Sequence, residues 1–83
     1  MDSVEQRCIE LIAGAKNIAL DTVHPQSTFE QLDMDSLDKI NLSFAVEESF
    51  GIEIPDAEIY TIRTVSDMVE GIRRLIALKQ PTP

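Results

Sequence analysis

The chain contains no tryptophan, one cysteine and one histidine among its 83 residues. A single cysteine, Cys8, excludes a disulfide framework and is consistent with a reducing cytoplasm, where we expect the protein to work. With His24 as the only histidine, a tetrahedral zinc site built from Cys and His ligands is also excluded. No apolar run approaches the roughly 18 residues of a membrane-spanning helix, so we expect no membrane span. The N-terminus is acidic, so we expect no secretory signal.

Basic residues are also few, with 7 Lys and Arg against 15 Asp and Glu, which gives a formal net charge of −8. Nine acidic residues and one basic residue lie between residues 30 and 58, so this segment carries the whole net charge. A surface this negative repels phosphates, and nucleic-acid binding is therefore not expected. Its natural partners are proteins with basic patches, with a solvated face that only aids solubility as the alternative.

The apolar residues that are present follow a helical period. Apolar spacings of three and four residues predict helices over residues 4–19, 36–50 and 64–78, and a short helix over residues 56–62. Residues 20–35 show no periodicity and predict a long loop between the first two helices. Gly51 is predicted to end the second helix, Asp56 to cap the short helix, and Thr64 with Asp67 to cap the last helix. The apolar stripe of the last helix consists of Val65, Met68, Val69, Ile72, Leu75 and Ile76. The expected fold class is therefore all-α, a four-helix bundle with three main helices and a short third helix.

The predicted domain covers residues 1–78, followed by a disordered tail over residues 79–83, and we expect a monomer. In the first helix, Cys8 lies on the expected core face as a small hydrophobic residue. That face consists of Val4, Cys8, Leu11, Ile12, Ala15, Ile18 and Ala19.

The second helix carries two apolar stripes on nearly opposite faces. The stripe assigned to the core consists of Leu42, Val46 and Phe50. The other stripe, which we call the apolar ridge, consists of Leu37, Ile40 and Phe44. A thin bundle can seldom bury two opposed faces, so we expect the ridge to be exposed as a protein-docking surface. Burial of both faces is the alternative.

Ser36 lies where the loop becomes helix, at the positive end of the helix dipole, where a phosphate is favoured. On these grounds alone, a role as N-cap is the simpler interpretation. Hydrolase chemistry would need a general base, and neither a neighbouring histidine nor a Gly-x-Ser-x-Gly turn is present, so we expect no catalytic residue. Asp33 and Asp35 do not begin a calcium loop, because Phe44 stands where its last carboxylate is required; we expect no metal site.

The segment Phe29–Asp38, with the sequence FEQLDMDSLD, resembles the phosphopantetheine attachment motif of acyl carrier proteins. Residues 47–56 are similar to the helix end and following loop of that family, and residues 64–67 resemble the start of its last helix. The similarity runs in register from about residue 4 to residue 76.

This resemblance implies that a phosphopantetheinyl transferase attaches 4′-phosphopantetheine, donated by coenzyme A, to Ser36 as a phosphodiester. The non-catalytic carrier would then hold acyl groups as thioesters. It would deliver them between acyl-loading, elongating and acyl-transferring enzymes of fatty-acid, lipid or polyketide-type biosynthesis. The matching positions for transferase recognition are Asp35, Leu37 and Asp38. Those for partner docking are Ile40, Asn41, Phe44, Glu47, Glu48 and Asp56. The expected lining of an acyl cavity is Phe50, Ile54, Ile59, Ile62 and Met68.

Some residues depart from the usual pattern of the family: Asp33, Lys39, Asn41, Ser43, Ile59, Tyr60 and Arg63. Together they predict a specialised carrier with a reshaped acyl cavity rather than the general carrier of fatty-acid synthesis. Two alternatives remain, a peptidyl or D-alanyl carrier of aminoacyl groups and an unmodified subunit that works by docking alone. The acidic approach to Ser36 argues against the first, and the intact motif argues against the second.

Overall fold

Four α-helices account for most of residues 3–79, the part of the chain that the computed structural model describes. In chain order they are α1 (Ser3–Lys16), α2 (Ser36–Phe50), α3 (Asp56–Thr61) and α4 (Val65–Lys79). Within residues 3–79 there is no β-strand, and one isolated antiparallel bridge joins Thr28 to Thr64. The predicted all-α bundle with a short third helix is confirmed. Lys79, assigned to the tail, belongs to α4, and residues 80–83 lie outside the described part of the chain.

α1 ends at Lys16, although its apolar periodicity predicts a helix as far as Ala19. Asn17 adopts a left-handed φ of 56°, and the amides of Asn17 and Ile18 donate to the carbonyls of Gly14 and Ala13. This is the hydrogen-bond pattern of a Schellman motif, which terminates a helix. The predicted core face was therefore partly wrong. The buried residues are Cys8, Ile9, Ile12 and Ala13, whereas Ala15, Ile18 and Ala19 are exposed.

The core lies where α1 packs against both α2 and α4. The stripe predicted on α4 faces this core, with Val65, Met68, Val69 and Ile72 buried. From α2, Leu42 and Val46 are buried and Phe50 is partly buried. The long loop contains one 3₁₀ turn, Leu20–Thr22, and is anchored by the fully buried side chain of Phe29. The Phe29 amide also donates to the Arg63 carbonyl at 2.9 Å, which joins this loop to the segment before α4.

α4 begins with a reciprocal cap, as the Thr64 to Asp67 spacing predicts. The Asp67 amide donates to Thr64 Oγ1 at 3.0 Å, and Asp67 Oδ2 accepts from the amides of Arg63 and Thr64, each at 3.1 Å. These amide donors stabilise the ionised carboxylate and lower the pKa of Asp67. The two backbone amides that follow Thr64 donate hydrogen bonds to the carbonyls of Ser27 and Pro25 in the long loop. The start of α4 is therefore firmly attached to this loop.

The ends of α2 and α3 set the short connection between them. Gly51 ends α2 with a left-handed φ of 66°, as predicted. α3 follows Pro55 without a side-chain cap, so the prediction that Asp56 caps this helix was wrong; Asp56 is its first residue. There its carboxylate lies near the positive end of the helix dipole. The helix ends at Thr61, because Ile62 is already extended.

Candidate functional site

Ser36 is the first residue of α2, and its side chain is exposed. The N-cap is the preceding residue, Asp35, whose Oδ1 accepts from the amide of Asp38 at 2.9 Å. The capping role considered for Ser36 therefore belongs to Asp35. Within residues 3–79 no hydrogen bond engages the Ser36 hydroxyl. This hydroxyl is accessible at a helix end whose first-turn N–H groups favour an anion.

Asp38 completes the cap from one turn inside α2. Its Oδ2 accepts from the Asp35 amide at 3.2 Å and lies 3.4 Å from Lys16 Nζ of α1. The Asp35 N–H, and to a smaller extent the Lys16 ammonium, lower the pKa of Asp38. Asp35 and Asp38 are thus joined by two reciprocal hydrogen bonds. Leu37, which lies between them in the sequence, is 64% exposed. All three predicted transferase-recognition residues lie beside Ser36.

The apolar ridge is largely exposed, as the two-stripe pattern predicts. Leu37 and Phe44 are 64% and 61% exposed, and Ile40 is half-buried between them. A surface groove runs from the ridge to α3, where Asp56 and the exposed ring of Tyr60 form its other side.

The polar residues beside the ridge are not equivalent. Asn41 and Glu48 are exposed, whereas Glu47 is half-buried. The Ile54 amide donates to Glu47 Oε2 at 2.7 Å, which joins α2 to the connection before α3. One oxygen of the Glu47 carboxylate therefore already has a structural partner within the fold.

A small cavity of about 40 Å³ lies between α2, α3 and α4. Four of the five residues predicted to line an acyl cavity do line it, namely Ile54, Ile59, Ile62 and Met68. Phe50 is not among its lining residues and lies half-buried at the end of α2. The sequence prediction did not include Lys39, Ser43 and Glu58, which also line the cavity. The spacing of Lys39 and Ser43, four residues apart on one face of α2, could have identified two of them.

The other side chains with potential chemical reactivity either lie away from Ser36 or are unreactive in the fold. Cys8 is fully buried in α1, and burial, with a smaller contribution from Glu5, raises the pKa of its thiol to about 12. His24 is exposed in the long loop. Among residues 3–79 no group of His, Cys, Asp and Glu side chains is arranged to hold a metal ion. No helix in this range is both long enough and apolar enough to span a bilayer.

Comparison with known proteins agrees with this geometry. The family model described as "Phosphopantetheine attachment site" matches residues 6–72. Acyl carrier proteins of Rickettsia canadensis and Rickettsia rickettsii are each 41% identical over 73 residues, which covers 87% of this chain and 85% of theirs. The crystal structure of an acyl carrier protein from Thermotoga maritima matches with a TM-score of 0.80 at 27% identity, over 96% of this chain and 100% of that one.

The fold and the site therefore define a helical carrier with a phosphopantetheine attachment site. The chain belongs to the acyl carrier protein family. Its cofactor is a covalently attached 4′-phosphopantetheine, and proteins of this family carry acyl groups rather than catalyse their conversion. The exposed Ser36 hydroxyl, which no other group in residues 3–79 engages, fits this attachment.

Proposed function

We propose that a phosphopantetheinyl transferase attaches the phosphopantetheine arm of coenzyme A to Ser36. The serine oxygen forms a phosphodiester bond as the pyrophosphate bond of coenzyme A breaks and adenosine 3′,5′-bisphosphate leaves. The loaded carrier then delivers acyl thioesters between enzymes of fatty-acid, lipid or polyketide-type biosynthesis. The observation that carries this proposal is the arrangement at the start of α2. Asp35 and Asp38 cap the helix through reciprocal hydrogen bonds, in which each carboxylate accepts from the backbone amide of the other residue. The Ser36 hydroxyl is left exposed. A serine that acted as the cap would use its oxygen to accept an amide hydrogen bond.

Attachment needs a serine oxygen that can be deprotonated and a site that tolerates a phosphate. Within residues 3–79 the carboxylates next to Ser36, those of Asp35 and Asp38, already accept capping hydrogen bonds, so we assign acceptance of the proton to the transferase. The first-turn N–H groups of α2 stabilise the charge of the phosphodiester. Lys16, 3.4 Å from Asp38 Oδ2, partly offsets the negative charge of the neighbouring carboxylate.

We assign transferase recognition to Asp35, Leu37 and Asp38, which surround Ser36. Docking of the acyl-handling enzymes falls to Ile40, Asn41, Phe44, Glu47, Glu48 and Asp56. Exposed apolar side chains bordered by carboxylates suit partners that present an apolar contact inside a basic patch. The acidic charges would speed the encounter, and Phe44 would supply buried contact area.

The test of attachment is an intact-mass measurement after incubation with coenzyme A and a transferase of broad specificity. The wild-type chain should gain one phosphopantetheine, and Ser36→Ala should gain none. Ser49→Ala is the matched control, because Ser49 is an exposed serine near the other end of α2. It should be modified as fast as the wild type. A wild-type chain left unmodified by several transferases would instead favour the docking-only subunit.

We further propose a monomeric carrier of the cytoplasm that serves a dedicated pathway. The support is the set of departures around the cavity, where Lys39, Ser43 and Ile59 line the space between α2 and α3. Purified enzymes of general fatty-acid synthesis should extend acyl chains on this carrier more slowly than on their own. Equal rates of extension would contradict the specialised role while leaving attachment at Ser36 intact. Failure to accept acyl groups together with loading by an aminoacyl-activating enzyme would favour the aminoacyl carrier.

A further inference from the structure

The two carboxylates beside Ser36 differ in their ionic contacts. Asp38 Oδ2 lies 3.4 Å from Nζ of Lys16, the last residue of α1. Asp35 forms no ion pair with any cation of residues 3–79. A basic partner that approaches Ser36 therefore meets one open carboxylate and one that is already paired within the fold.

The Lys16–Asp38 pair is partly shielded from water. The Lys16 side chain is 22% exposed and that of Asp38 is 36% exposed. Both members of the Arg7–Glu10 pair on α1 are more exposed. Salt and water screen a partly buried ion pair less than an exposed one. The ammonium of Lys16 should therefore stay on Asp38 under the conditions in which a partner docks.

The position of the Asp38 carboxylate does not depend on Lys16. The Asp35 amide donates to Asp38 Oδ2 at 3.2 Å, and the Asp38 amide donates to Asp35 Oδ1 at 2.9 Å. Both hydrogen bonds of this capping box lie at the start of α2 and involve no residue of α1. Loss of the Lys16 ammonium would leave the carboxylate in place without its cation. Lys16 therefore contributes charge to this site rather than orientation.

We infer that Lys16 competes with the transferase for the carboxylate of Asp38 and thereby sets the affinity of the attachment site for a basic partner. The Lys16 ammonium occupies the oxygen that a cation of the partner would contact, and it repels that cation at short range. A partner that uses only Asp35 avoids this competition, whereas one that uses both carboxylates has to displace Lys16. The inference rests on the proposed attachment at Ser36 and on its proposed recognition residues.

The test is the steady-state kinetics of arm attachment by a transferase of broad specificity. Coenzyme A is saturating, and the unmodified carrier is the varied substrate. Lys16→Met removes the ammonium and keeps a long side chain. Its KM should be about threefold lower than that of the wild type, as the loss of one competing surface ion pair predicts. Its kcat should not rise, because the Ser36 hydroxyl and the capped helix end are unchanged.

Three further variants separate this contact from a general effect of charge. Lys16→Arg keeps a cation at the end of α1 and should keep the wild-type KM. Arg7→Met removes one positive charge from the exposed pair with Glu10, so it matches the net charge of Lys16→Met, and its KM should remain that of the wild type. Asp38→Asn keeps an oxygen for the Asp35 amide but removes the charge. In that background, Lys16→Met should leave KM unchanged.

Three results would overturn the inference. These are an unchanged or higher KM in Lys16→Met, an equal fall of KM in Arg7→Met, and a fall that persists in the Asp38→Asn background. Each is measured on chains that intact mass shows to be modified, so attachment at Ser36 would still stand. A wild-type chain that gains no arm would overturn the proposed attachment and this inference together.

Discussion

Individual side chains at the start of α2 have separate roles. Asp35 and Asp38 exchange hydrogen bonds and close the helix end, so the hydroxyl of Ser36 between them stays exposed. Leu37, 64% exposed, offers an apolar contact next to Ser36, the proposed attachment residue. The Asp-Ser-Leu-Asp sequence thereby combines a stable helix start with an accessible oxygen, as the proposed modification by a transferase requires.

Asp33 occupies a left-handed conformation in the long loop before α2, with a φ of 60°. Glycine adopts this conformation without the steric penalty of a side chain, although it loses more backbone entropy on folding. Asp33→Gly should therefore raise the free energy of unfolding by about 0.5 kcal/mol. Urea unfolding measures this, with Asp33→Asn as the control that removes the charge and keeps the side-chain shape. A glycine variant no more stable than the asparagine variant would contradict the prediction.

Cys8 should be unreactive in the folded protein, because burial raises the pKa of its thiol to about 12. At pH 8 a disulfide reagent such as dithiodipyridine should label the unmodified chain only after unfolding. After attachment of the arm, one thiol should react rapidly in the wild type. The same treatment of Ser36→Ala should leave none. Rapid labelling of folded, unmodified chain would show that Cys8 is accessible.

Among the elements, α2 serves two opposite purposes with its two faces. Val46 is fully buried in the core that α2 shares with α1 and α4, whereas Phe44, two residues earlier, is 61% exposed on the apolar ridge. The groove beside the ridge also involves α3, whose Tyr60 is exposed. The same helix therefore holds the bundle together and presents its predicted docking surface.

The two faces should respond differently to truncation. Val46→Ala removes two buried methyl groups and should lower the free energy of unfolding by about 2 kcal/mol. Phe44→Ala should change it by less than about 0.5 kcal/mol, yet raise the KM of an acyl-loading enzyme about tenfold. Urea unfolding and steady-state kinetics on the same variants check both expectations. A Phe44→Ala variant that loses as much stability as Val46→Ala would identify the ridge as part of the core.

For the whole molecule, the uneven distribution of charge is the dominant feature. The segment of residues 30–58 carries the net charge of −8, and the rest of the chain is balanced. This segment includes α2 and α3, so its carboxylates repel one another across the surface that partners are proposed to recognise. The charge that would attract basic partners thus opposes the stability of the free carrier.

Salt should therefore stabilise the protein. Raising the ionic strength from about 0.01 M to about 0.15 M shortens the Debye length from about 30 Å to about 8 Å and screens this repulsion. We expect a gain of about 1 kcal/mol, or about 5 °C in Tm, by thermal unfolding followed with circular dichroism. Magnesium chloride at the same ionic strength should raise Tm further, since a divalent cation binds closer to paired carboxylates. An unchanged Tm in both salts would argue against self-repulsion.

The predictable parts of the fold and site are those defined by neighbours along the chain. The Thr64 to Asp67 cap and the Gly51 end of α2 follow from residue types at short spacing, and both are confirmed. The end of α1 was missed because apolar residues continue beyond Lys16, while the left-handed turn at Asn17 has only a weak sequence signal. Hydrophobic spacing shows a favourable face but not where the backbone leaves the helix.

The amino-acid sequence alone was sufficient to predict the helical class, the position of Ser36 at the start of a helix and the exposure of the ridge. Helix capping and helical period depend only on residues a few positions apart. Only the tertiary structure showed that the Glu47 carboxylate accepts a hydrogen bond from the Ile54 amide. It also showed that the Lys39 ammonium lies over the ring of Phe29. It also brought Glu58 of α3 to the same cavity. Those contacts depend on how elements distant in the chain pack, and packing is set by the combined shape of the whole core.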